Sequence, residues 1–141
     1  MSAFEELPAQ AVLALGNRRP ETLRRYAERA GHRWLHADCS GANDKSDVMA
    51  AIARGFGLPP HFGGNLDALY DCVTDLEPGQ GPSGPGLALC VEGLPAGPAF
   101  DSAQRDALLD VFRDAADFHA ERGVAFRVFH SVRRVARTAP R

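Results

Sequence analysis

Short apolar runs alternate with helix-like segments along almost the whole chain, and that alternation restricts the fold more than any other feature. Residues 11–15 (Ala-Val-Leu-Ala-Leu), closed by Gly16, read as a strand. Pro20 opens a helix that Gly31 ends, with Leu23, Tyr26, Ala27 and Ala30 along one side. Residues 34–39 form a second strand candidate. Asp44 then caps a helix whose buried stripe is Val48, Ile52 and Phe56; Asp47 is its capping partner and Gly57 its stop. Two prolines and two glycines keep residues 58–64 irregular. Asn65 caps the next helix, where Leu66, Leu69, Val73 and Leu76 recur at helical spacing. The Pro/Gly/Ser stretch 78–86 reads as a flexible loop, 87–91 as a buried strand, 102–121 as the longest helix and 126–129 as the last strand. Strands that alternate with helices predict an α/β fold built on a parallel sheet with right-handed crossovers.

At 141 residues, 45% apolar and 24% charged, the chain is sized for one soluble domain with a core of its own. No apolar run nears the roughly 20 residues that span a bilayer. The N-terminus is acidic where a signal peptide is basic and then apolar, so a cytoplasmic location is expected and a membrane partner is not. Cys39, Cys72 and Cys90 are odd in number and widely spaced, as fits small buried hydrophobes and neither disulfides nor zinc. No glycine-rich phosphate loop follows any strand, and His32 and His36 stand without a tight ligand cluster. No cofactor or metal is expected.

The net charge of −2 conceals a strong asymmetry. Residues 55–121 hold eleven acids against Arg105 and Arg113, a balance of 2 − 11 = −9. Residues 122–141 hold six arginines and no acid. The acidic stretch repels nucleic acid and attracts a basic partner. Its most pointed feature is the helix after Asn65, which presents Asp67, Asp71, Thr74 and Asp75 roughly on one face with Tyr70 at the border. Like charges four residues apart weaken a helix, so the row is either a solvated face, with Asp67 complementing the helix N-terminus, or a surface kept for a partner. An acid pair for hydrolysis requires environments that split the two pKa values, and exposed aspartates on one helix offer none. An enzyme is therefore not expected.

The segment Asn65-Leu66-Asp67-Ala68-Leu69-Tyr70-Asp71-Cys72-Val73-Thr74, after a Pro-then-aromatic-Gly loop, closely resembles the barstar family of ribonuclease inhibitors. A looser resemblance runs from about Arg33 to Ser131 and includes Val111-Phe112-Arg113-Asp114-Ala115. It implies a three-stranded parallel sheet packed with helices, or a four-stranded one if the first thirty residues add a strand and a helix. The division it suggests is an N-terminal strand–helix extension over 1–32, a barstar-like domain over 33–131 and an Arg-rich tail over 132–141. In that family the aspartate matching Asp71 enters the nuclease active site where a substrate phosphate would lie. The positions matching Asp67 and His61 contact its rim, Thr74 and Asp114 match further contact positions, and Asn65 and Tyr70 flank them. The expected partner is a basic ribonuclease or nuclease toxin, the free chain a monomer. An immunity or regulatory module for a basic non-ribonuclease partner is the alternative.

Overall fold

The computed structural model describes residues 3–59 and 62–133. Five strands, β1 (Gln10–Ala14), β2 (Arg33–Asp38), β3 (Gly79–Gly81), β4 (Gly84–Leu94) and β5 (Ala125–Val132), share one sheet. Four helices, α1 (Pro20–Ala30), α2 (Lys45–Phe56), α3 (Leu66–Thr74) and α4 (Ser102–Ala120), cover it. Strand order is β1-β5-β4-β2, all parallel, with β3 antiparallel to the start of β4. The α/β expectation holds, with four parallel strands plus the short β3. Among the described residues no helix is long and apolar enough to cross a membrane.

Local chemistry accounts for the helix ends. Pro20 starts α1 and Gly31 closes it in the left-handed region at φ 76°. The Asp44 carboxylate accepts the Asp47 amide at 2.9 Å. Asp47 in turn accepts from Asn43, one residue earlier than a capping box would place it. Asp101 and Gln104 do form that reciprocal box at the start of α4.

The stretch 78–86 departs from expectation. It is a hairpin in which Gly79 pairs with Gly86, Gln80 with Pro85 and Gly81 with Gly84. A Cβ on Gly79 would overlap the Gly31 carbonyl oxygen, and one on Gly81 the Gly31 backbone. These glycines serve close backbone approach rather than freedom.

Alternation along β4 divides the core in two. Leu87, Leu89 and Val91 join Phe126, Val128, Ile52, Phe56, Leu69, Val73 and Phe112 on the side of α2, α3 and α4. Ala88 and Cys90 join Phe129, Phe4, Leu23, Ala27 and Ala30 under α1. A strand covered on both faces reads as one continuous apolar run, as this one does. Burial pushes the Cys39 thiol up to about 11 and Cys90 up to about 12, as suits inert core groups. Cys72 is only half-buried.

One basic residue counted with the C-terminal end is internal. Arg127 is 6% exposed. Its Nε donates to the Pro8 carbonyl at 3.0 Å and its Nη2 to those of Phe4 (3.2 Å) and Leu7 (3.4 Å). Its guanidinium carbon lies 4.8 Å from the Phe4 ring centroid. Burial lowers its pKa. His32 is buried against the same Phe4 ring, and neither ring nitrogen has a hydrogen-bond partner among the described residues. The expected tail beyond Arg133 lies outside the described residues.

Candidate functional site

The site grows from the irregular segment between α2 and α3. Gly57 ends α2 in the left-handed region at φ 65°, and the Phe62 amide donates to the Pro59 carbonyl at 3.0 Å. His61 lies outside the described residues. Gly64, at φ 72°, turns the chain into α3, and the Asn65 side chain accepts the Ala68 amide at 2.8 Å. Asn65 thus acts as the helix cap, the role its position in the sequence predicts.

Along α3 the aspartates and their neighbours separate into two groups. Asp67 and Asp71 are exposed on successive turns, and Asp75 is exposed at the C-cap. Asp114 is exposed on α4. None of the four is in an ion pair among the described residues. Tyr70 instead turns partly inward, its ring edge-on to Phe118 of α4 at 6.4 Å between centroids. The Thr74 hydroxyl donates back into its own helix, to the carbonyls of Tyr70 (2.8 Å) and Asp71 (3.1 Å). Asp114 sits one turn before Phe118, on the helix that packs against α3.

The base of α3 is anchored from below. A ring nitrogen of the buried His119 lies 3.2 Å from the Val73 carbonyl, and the ring stacks on Phe126 at 4.9 Å. Burial lowers the His119 pKa, with the Val73 contact opposing that shift. The anchored, neutral imidazole holds α3 on the sheet and keeps its acidic side outward.

Beside the acids lies apolar surface that periodicity could not reveal. A cleft of about 390 Å³ between the 57–63 segment and α3 is lined by Leu58, Phe62, Cys72 and Leu76, with Asp71 and Asp75 also contributing. A second, of about 630 Å³, runs along α2 past Lys45 and Met49. Phe62 borders both and packs partly into the core. It is an aromatic residue between His61 and Gly63, outside any helix or strand, and that isolation was the signal available in the sequence. The thiol of Cys72 is pushed up by burial and then by Asp71 and Asp75, which makes it a poor nucleophile. No cluster of three metal-ligating side chains occurs among the described residues.

Unpaired carboxylates on adjacent turns, next to an apolar cleft and on a rigidly anchored helix, suit a cationic group that donates several hydrogen bonds, above all a guanidinium. No curated protein matches the chain. A family described as Barstar (barnase inhibitor) matches residues 32–131. The match starts just before β2 and takes in α2, the loop, α3, α4 and nearly all of β5, leaving β1 and α1 outside it. With well over half its length matched, and with this fold and this acid-bearing helix inside the match, the chain belongs to the barstar family.

Proposed function

We propose that the protein inhibits a basic ribonuclease by filling its phosphate-binding cleft with carboxylates from α3. One observation carries the reading: Asp67, Asp71 and Asp75 stand exposed and unpaired among the described residues, on a helix whose other side is locked into the core. A ribonuclease that stabilises a pentacoordinate phosphate concentrates arginine, lysine and histidine in its cleft. A carboxylate there accepts the hydrogen bonds that a phosphate would take. Asp71, central in the row, is the residue we assign to that position. Asp67 and His61 meet the rim, while Asn65, Tyr70, Thr74, Asp75 and Asp114 shape or flank the contact. The three free cysteines suit a reducing, cytoplasmic setting.

Titration of a barnase-type ribonuclease with the full chain tests the reading. Stoichiometric loss of RNA cleavage is expected. Association should be fast at low ionic strength and slow steeply as salt rises, with dissociation changing little. Unimpaired cleavage at saturating inhibitor would overturn the assignment, and tight binding to a basic protein that cleaves no RNA would favour the immunity-module alternative.

A further inference from the structure

The two edges of the sheet are built differently, and the difference concerns a segment that the family match does not cover. At one edge β2 carries Arg33 and Asp38, charges that discourage pairing with a further strand. At the other edge β1 reads Gln-Ala-Val-Leu-Ala, with no charge and no proline. Its register with β5 is unbroken from Gln10 to Ala14, so no bulge turns it away.

Hydrogen-bond parity shows which backbone groups lie on the open side. The Phe126 amide donates to the Ala9 carbonyl at 2.8 Å, and the Leu15 amide to the His130 carbonyl at 2.7 Å. Odd-numbered residues of this segment therefore face β5, and the amides and carbonyls of Gln10, Val12 and Ala14 face outward. Among the described residues, the one outward hydrogen bond to these backbone groups is from Arg18 Nη1 to the Ala14 carbonyl, at 3.4 Å. Helix α1 packs over β2 and β4, and α4 over the other face of the sheet, so the principal helix contacts of β1 lie on one face.

We propose that β1 is a self-association edge, where two copies of the chain join antiparallel and continue one sheet through both. The charges beside the strand set the register. Glu6 before β1 and Arg18 after it are both exposed and equally far from Val12 in sequence. With the two-fold axis at Val12, Gln10 of one copy pairs with Ala14 of the other, every outward amide meets a carbonyl, and each Glu6 approaches the opposite Arg18. A parallel pairing would bring Glu6 to Glu6 and Arg18 to Arg18. The proposal runs against the monomer expected from sequence.

Sedimentation velocity of the full chain, from micromolar to millimolar concentration, tests the proposal. A monomer–dimer equilibrium is expected. Ala14→Pro removes an outward amide without touching the β1–β5 ladder and should weaken the dimer by at least about tenfold. Arg18→Glu and Glu6→Arg should each weaken it, and the double variant should restore it. Should Ala14→Pro fail to fold, the charge swap decides alone, because both side chains are exposed. A chain that stays monomeric throughout, or a dimer indifferent to the charge swap, overturns the proposal.

Discussion

The two faces of the sheet treat charge in opposite ways. On the side of α3 and α4, Asp67, Asp71, Asp75 and Asp114 project outward with no ion pair among the described residues. On the α1 side the notable charge is inside, where Arg127 is consumed by three backbone carbonyls and the Phe4 ring. An exposed like-charge row weakens the free chain, and in the proposed reading its use lies in a partner. A buried cation that donates from Nε and Nη2 to backbone carbonyls, with Nη1 left unpartnered among the described residues, ties the N-terminal segment to the sheet, so its use lies in the fold. Counting charges along the sequence treats both alike.

The largest effect that could break this contrast is on binding. Asp71→Ala should leave the fold intact and cost several kcal/mol of affinity for a cognate ribonuclease, because cations in its cleft lose their partner. The barstar family supplies the type example of such a hot spot, and the expected size is the family's. Calorimetry on the folded variant showing unchanged affinity would remove Asp71 from the interface.

Next comes the buried cation. Arg127→Leu should destabilise the chain by about 3 kcal/mol, since the carbonyls of Phe4, Leu7 and Pro8 lose their donor. Inhibition per folded molecule should not change. Denaturant titration together with inhibition stoichiometry separates the two faces; equal loss of both would show that they are coupled.

The third expectation concerns pH. Burial lowers the pKa of His32, with Arg127 adding to it, and burial lowers that of His119 as well. Both take up protons less readily in the folded chain than in the unfolded chain, whose imidazoles titrate near 6.5. Stability from this source is whole above that value and is lost as pH falls through it toward the lowered folded values. Each histidine contributes at most about 1.4 kcal/mol per pH unit. Denaturant midpoints at pH 7.5 and 5.5 should show the loss, and His32→Phe, which keeps a ring against Phe4, should remove one proton's share. A midpoint that does not fall with pH would mean that both rings accept protons in place.

The smallest effect sharpens the same contrast from within the free protein. Asp71→Ala relieves repulsion from Asp67 and replaces a poor helix former, and should stabilise by about 1 kcal/mol. Asp67→Ala should be neutral or slightly destabilising, because an acid in the first turn favours the helix. Thermal unfolding at low and high salt checks both, with the gain at Asp71 shrinking as salt rises. A lower melting temperature for Asp71→Ala would mean that the carboxylate has a structural partner.

Much of the fold was legible because local chemistry declares itself. Pro20, Gly31, Asp44, Gly57 and Asn65 mark helix ends through their own backbone and side-chain preferences, and each stands where its chemistry predicts. The Asp-x-x-Gln box at Asp101 is equally local, an N-cap acid with glutamine three residues on. The hairpin at 79–86 was not readable, since glycine for close approach and glycine for freedom look identical until the facing backbone is known.

The sequence by itself determined the alternation of strands and helices, the acidic row and the motif that carries the family resemblance, because each is set by neighbours a few residues apart. Only the tertiary structure decided that Tyr70 turns inward while Asp67 and Asp71 do not, that Phe62 borders the clefts beside them, and that Arg127 belongs to the interior. Those outcomes depend on what packs across from each residue, as α4 does against Tyr70 and the N-terminal segment against Arg127. Such contacts join positions far apart along the chain, where no local pattern records them.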